Sequence, residues 1–160
     1  MMNNNCTKSS FSIIAVKKED RNPMLICWLL DVWRASVRAS HHFLTEENIQ
    51  RLSPYAELGL RNIHSLLVVE SGQIPVGFMG VQDRKIEMLF LHPDCFRKGL
   101  GRRLVEYAFR ELAVEYVDVN EQNPEAKIFY ERMWFRVFKR NEHDAEGNPF
   151  PILEMKKVDV

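Results

Sequence analysis

The chain lacks the features that define several large protein classes. Cysteine is scarce: Cys6, Cys27 and Cys95 are far apart and odd in number. They form no Cys-x-x-Cys pair and no Cys/His zinc spacing, so no metal site or disulfide framework is implied. No segment approaches the ~20 apolar residues that a membrane span needs. Residues 1–10, MMNNNCTKSS, carry no apolar run of a secretory leader. The expectation is a soluble, cytoplasmic protein with no membrane partner. Net charge is also absent, with 22 basic residues against 22 acidic ones. A general nucleic-acid binder carries a basic face, so nucleic acid is not an expected partner. With neither linker nor repeat, the chain reads as a disordered segment 1–10 followed by one domain over 11–160.

What is present concentrates in residues 85–108, KIEMLFLHPDCFRKGLGRRLVEYA. The run 86–91 is apolar enough for a buried strand, and Pro93, which cannot donate to a ladder, stops it. Arg97, Lys98, Gly99, Leu100 and Gly101 form a basic, glycine-bearing loop. Leu100, Leu104, Tyr107, Ala108 and Leu112 then recur at helical spacing, which predicts a helix over 99–113. The first turn of a helix presents unpartnered N–H groups, and its dipole favours an anion there. Gly99 and Gly101 carry no Cβ to keep a phosphate away from the backbone. Arg97, Lys98, Arg102 and Arg103 concentrate charge in a neutral chain. A small polyanion suits this cluster better than a duplex.

The rest of the chain supplies a mixed sheet. A strand is expected at 11–16. Pro23 opens a helix reaching Ser40, whose stripe is Leu25, Trp28, Leu29, Val32, Trp33 and Val37. Cys27 in that run reads as a small core residue, and Cys95, with no paired histidine, as a structural one. Thr45 is an N-cap for a second helix reaching Asn62 through Pro54. Strands at 64–70, 74–82 and 85–91 form a meander. After the Gly-loop helix come a strand at 115–120, a helix capped by Asn123 with Pro124 first, and strands at 135–142 and 150–157. A meander that then gains a parallel strand through a helix is a mixed α/β sheet.

At this point the chain resembles the GNAT superfamily of N-acetyltransferases. LFLHPDCFRKGLGRRLVEYA (89–108) is one carrier of the resemblance, and VNEQNPEAKIFYERMWF (119–135) is the other, similar to the family's NxxAxxFYxxxGF signature. The bacterial YjaB-like acetyltransferases are similar at LFLHPD, GLGRRLVE, VNEQNPEA and GNPFPIL. The resemblance implies an α/β (α+β mixed) fold, with a mostly antiparallel central sheet flanked by helices and splayed between strands 85–91 and 115–120. Acetyl-CoA would be the acyl donor. Its pantetheine arm would pair with backbone at Phe90 and Leu91, and its pyrophosphate would sit on the amides of Arg97, Lys98, Gly99, Leu100 and Gly101. Asn123 would contact the cofactor, and Tyr130 would lie near the thioester sulfur. Two positions depart from the pattern. Phe96 stands where the loop has Gln or Arg, and Trp134 replaces the glycine of FYxxxGF. If that glycine has φ > 0, Trp134 is strained or its turn is rebuilt.

Acetyl transfer needs a neutral amine. Deprotonating a lysine-like amine of pKa ~10.4 at pH 7 costs about 4.6 kcal/mol, so a base or a desolvating site is required. Glu87 is the candidate base, directly or through water; a surface carboxylate on an alternating strand is the alternative. Tyr130 is the candidate acid for the leaving thiolate, with Phe129 on another helix face free to be core. His41, at the joint of the first two helices, is a candidate substrate contact; a helix-terminal histidine of no special role is the alternative. The expected activity is acetyl transfer to a primary amine by direct attack in a ternary complex, with no acetyl-enzyme. The rival is a non-catalytic CoA-binding sensor or interaction domain. The acceptor amine is not legible, and the oligomeric state is open between monomer and homodimer.

Overall fold

The computed structural model describes residues 10–159; the expected disorder of 1–10 lies outside them except at Ser10. A seven-stranded sheet runs in the order β1-β2-β3-β4-β5-β7-β6. Its strands are β1 (Phe11–Val16), β2 (Ser65–Ser71), β3 (Ile74–Gln82), β4 (Lys85–Leu91), β5 (Tyr116–Asn120), β6 (Phe135–Asn141) and β7 (Ile152–Lys157). The helices are α1 (Pro23–Ser40), α2 (Glu46–Asn62), α3 (Leu100–Leu112) and α4 (Pro124–Arg132). All pairings are antiparallel except β4 with β5. The strand expected from residue 64 begins at Ser65, and the last strand begins at Ile152 rather than 150, because Pro151 cannot donate to the ladder.

Local chemistry accounts for the helix limits. Asn22 Oδ1 accepts from the Leu25 N–H at 2.9 Å, and Pro23 fills the first position, where no partner for its nitrogen is needed. Thr45 Oγ1 accepts from Asn48 N–H at 3.1 Å while Asn48 Oδ1 accepts from Thr45 N–H at 3.0 Å, a reciprocal cap. The helix α2 continues through Pro54. Its far end is closed from outside. The buried Arg21 guanidinium donates through Nη1 to the carbonyls of Leu60 (3.1 Å), Arg61 (3.2 Å) and Ile63 (2.7 Å). Those carbonyls belong to the set that a helix terminus leaves without partners.

Alternation along β2 builds two cores. Leu66 and Val68 face α1 and α2, with Leu29, Trp33, Leu60 and Phe78. Leu67 and Val69 join the opposite cluster, with Leu104, Ala108, Tyr130 and Phe135. Within the α1 stripe, Leu29, Val32, Trp33 and Val37 are buried and Leu25 and Trp28 half-buried. Cys27 is a correction: it is exposed on the outer face of α1, since the buried neighbours Ile26, Leu29 and Leu30 define the inward side. Cys95 is fully buried, as expected of a structural residue.

The Trp134 departure has the predicted consequence. Its φ is 73°, the left-handed region that a bulky residue adopts only at a cost of about 1–3 kcal/mol. The ring is 46% exposed, so packing returns only part of that cost. Trp134→Gly should therefore stabilise the fold by about 1 kcal/mol and raise Tm by roughly 2–4 °C in a thermal melt.

Candidate active site

The parallel ladder between β4 and β5 is two residues long. Lys85 pairs with Tyr116 and Ile86 with Val117, and there it ends. Lys85 also reaches across to an ion pair with Asp118, which brackets the base of the gap. Desolvation opposes charging of Lys85, but the Asp118 hydrogen bond and charge outweigh it and hold the ammonium pKa above its usual value. Beyond the bracket the β5-facing edge of β4 has no strand partner, and this is the expected splay.

Glu87 stands where the ladder ends, and the backbone singles it out. Gly80 pairs with Met88 and Val81 with Ile86, so Glu87 has no partner on β3 and forms a β-bulge. Bulges re-aim side chains and gather beside active sites. A Cβ at Gly80 would lie 2.5 Å from Met88 Cε, so the glycine makes room for the bulged segment. Glu87 keeps an exposed edge, but the crevice wall desolvates its carboxylate and raises its pKa; Lys85 opposes this, and Asp118 and Asp83 add to it.

Two crevices meet here. The first, about 610 Å³, is lined along the splay by β4, β5, the Gly loop and α4, including Phe90, Leu91, Phe96, Arg97, Gly99, Leu100, Gly101, Asn123 and Tyr130. The second, about 660 Å³, lies between α1, α2 and β4, with Trp33, Leu44, Tyr55 and Asp83 on its walls and Glu146 at its rim. His41, Glu87, Met88, Phe90 and Asn120 belong to both.

The Gly loop matches its predicted form in part. Gly99 caps α3 with φ 79°, and a Cβ there would meet nothing within 4 Å. Arg97 also adopts a left-handed φ of 60°, a strained backbone of the kind found around anion-binding turns. Gly101 lines the crevice and has a packing reason as well: a Cβ would stand 3.2 Å from Phe129 Cζ, so its absence lets α4 pack on α3. The Leu100 side chain is buried in the core, leaving only its backbone to the crevice. Lys98 does not line the crevice.

Asn123 is 8% exposed, and its Oδ1 accepts from Ala126 N–H at 3.3 Å, capping α4 as expected. Tyr130 is buried in edge contact with Phe129 (4.9 Å) and Phe135 (5.6 Å). The expected division of the Phe129–Tyr130 pair into a core face and a functional face does not hold, because both side chains line the crevice. Burial drives the Tyr130 phenol well above its usual range. A phenol is already a weaker acid than a thiol of pKa ~8.5, so full proton donation to a thiolate is uphill. Tyr130 can hold its proton and offer it as a hydrogen bond.

His41 is the C-cap of α1. It lies in the shared wall, its ring 5.5 Å from that of Phe43 and 6.3 Å from that of Phe90. Several residues escaped the sequence reading. Arg132 lines the first crevice from the last turn of α4, two positions beyond Tyr130. Ser36 and Ser40 line it from α1. Their spacing of four, on the apolar side of a helix, was the available signal.

This is the architecture of an acyl-transfer domain, with a split parallel pair, a glycine-capped helix start beside the split and a carboxylate where the ladder ends. The chain belongs to the GNAT family: the model described as "Acetyltransferase (GNAT) domain" matches residues 35–158. It is thus an acetyl-CoA-dependent N-acetyltransferase by family. Its relatives include the peptidyl-lysine N-acetyltransferases YjaB of Escherichia coli strain K12 and of Salmonella typhimurium strain LT2. The first is 35% identical over 130 residues, 81% of this chain and 88% of that protein. The second is 35% identical over 127 residues, 79% of this chain and 88% of that protein. The solution structure of apo YjaB from Escherichia coli superposes with a TM-score of 0.79 at 33% identity, covering 94% of this chain and 99% of that one.

Burial lowers the His41 pKa to about 4, with the neighbouring His42 adding to the effect. The unfolded chain takes up this proton near pH 6.5, the folded chain only near 4, so unfolding binds a proton between those values. Stability from this residue is complete above pH 6.5 and falls by roughly 3 kcal/mol on going to pH 4. Urea melts at pH 7 and pH 4 should show that His41→Gln loses correspondingly less stability than the parent over this interval.

Proposed function

We propose that the chain transfers the acetyl group of acetyl-CoA to the amine of a lysine side chain, by direct attack in a ternary complex, in the cytoplasm. The bulged Glu87, where donor and acceptor crevices meet, is the observation that carries this reading. Charge supports the division of roles. Arg97, Arg102 and Arg132 line the first crevice, where Asp118 is already matched by Lys85 and Glu125 is the remaining acidic residue besides Glu87. Asp83, Glu87 and Glu146 line the second with no Lys or Arg beside them among the described residues, over an apolar floor suited to an aliphatic stem. The names of the YjaB relatives point to the same acceptor.

The residues fit the donor. The Gly loop and the start of α3 would hold the pyrophosphate, the open edge at Phe90 and Leu91 would pair with the pantetheine amides, and Asn123 would meet it from α4. Bound there, acetyl-CoA supplies an activated acyl group. Glu87 then takes a proton from the incoming ammonium, and its raised affinity for protons narrows the gap to the amine. The amine attacks the thioester carbon, its nitrogen releases the second proton to solvent as the C–S bond breaks, and Tyr130 stabilises the departing thiolate through its O–H. The final thiol proton comes from solvent as CoA leaves.

Calorimetric titration with acetyl-CoA tests the donor site. The native chain should bind, and Gly99→Glu should abolish binding, because it adds a like charge and a side chain at φ 79°. No binding by the native chain would sink the assignment. In steady-state assays with a lysine-bearing peptide, Glu87→Gln should lower kcat/KM for the peptide by roughly 10²–10⁴-fold. Acetyl-CoA affinity should hold within about twofold, since no donor contact is lost. Tyr130→Phe should lower kcat by about tenfold, one hydrogen bond to the leaving group, with CoA still bound.

A further inference from the structure

The end of α1 carries a hydrogen-bond chain that the mechanism above does not use. Ser40 Oγ lies 2.7 Å from the Ser36 carbonyl oxygen and 2.9 Å from His41 Nδ1. A hydroxyl has one proton, and a carbonyl oxygen can only accept. Both contacts are hydrogen bonds under one assignment: Ser40 donates to Ser36, and His41 Nδ1–H donates to Ser40. A neutral imidazole with its proton on Nδ1 has a lone pair on Nε2. Among the described residues, Nε2 has no hydrogen-bond partner, and His41 sits in the wall common to both crevices. The rings of Phe43 and Phe90 hold the imidazole plane.

We infer that Ser40 fixes the tautomer of His41, and that His41 Nε2 accepts an N–H of the acceptor amine where the two crevices meet. This rests on the assignment of the second crevice to the acceptor. It gives that crevice an orienting group beside the carboxylate. Glu87 removes the proton, and Nε2 holds a second N–H, which turns the nitrogen lone pair of the amine away from the α1 wall and toward the splay. The opposite tautomer would present an N–H to an ammonium and repel it. Ser40 is thus a positioning residue acting through His41, at one remove from the substrate.

The test uses the full chain, labelled with ¹⁵N histidine, and n-butylamine as the acceptor probe. Long-range ¹H–¹⁵N spectra at pH 7 should show His41 with a protonated Nδ1 and an unprotonated Nε2. Adding n-butylamine should move the Nε2 resonance. In Ser40→Ala the two tautomers should mix and n-butylamine affinity should fall by about tenfold, one hydrogen bond to a charged donor. Ser40→Thr, which keeps the hydroxyl, should restore both signals, an outcome that general damage to the helix end would not produce. A protonated Nε2 in the parent chain would overturn the proposal. So would n-butylamine leaving Nε2 unmoved, or binding Ser40→Ala as well as the parent. Failure of acetyl-CoA to bind would instead strike the donor assignment and leave these readouts to decide the histidine separately.

Discussion

The architecture depends on a hydrogen-bond ladder that stops. Two β4–β5 pairs and the Lys85–Asp118 ion pair hold the halves of the sheet together, and past them the strands part. A longer ladder would join the sheet more firmly but would close the first crevice. Only a parallel pair entered through a helix allows this, because the connection from β4 to β5 places the start of α3 at the open end. The basic glycine loop at the mouth of the gap, the exposed strand edge and the bulged carboxylate are therefore consequences of one interruption. The strain carried by Arg97 fits that economy, since the loop must turn sharply from the end of β4 into α3.

The second crevice is assembled from parts far apart in the chain, tied by aromatic contacts. Phe150 meets Phe43 at 5.6 Å, Phe43 meets His41, His41 meets Phe90, and Phe90 meets Phe78 at 5.6 Å. The loop over 142–151 is stiffened internally: Asp144 Oδ1 accepts from the N–H groups of Glu146 (3.0 Å) and Asn148 (2.8 Å). Such contacts set the position of Glu146 at the rim without a strand or helix beneath it. The second crevice thus owes its shape to side chains, whereas the first owes its shape to backbone.

That contrast explains what the sequence made legible. Backbone devices leave local marks: Pro23, Thr45, Gly99 and Asn123-Pro124 are readable one at a time, and they predict the element order and the strand–glycine loop–helix turn beside the split. Trp134 was readable as an anomaly because it breaks a pattern with a backbone meaning. The Glu87 bulge was not, since it arises from a register shift against Gly80 and no spacing on β4 announces it. Cys27 misled because an apolar run hides which side of a helix faces inward until its neighbours are packed. The second demand on Gly101, room for the ring of Phe129, was hidden because that residue lies 28 positions away. Tyr55 and Glu146, on the walls of the second crevice, carry no local mark that singles them out.

Arg21 adds a property of a different order. It is a buried cation whose partners are neutral carbonyl groups at the end of α2, and burial lowers its pKa without any carboxylate to restore it. Its counter-charge is a dipole. The ion pairs on this protein's surface, such as Arg38–Glu46, weaken as mobile ions screen them. A guanidinium sealed against the end of a helix is shielded from such ions. The clamp joining the β1–α1 connection to the far end of α2 is therefore less sensitive to ionic strength than the exposed Arg38–Glu46 pair that ties α1 to the start of α2, so in concentrated salt the two ends of α2 are held unequally.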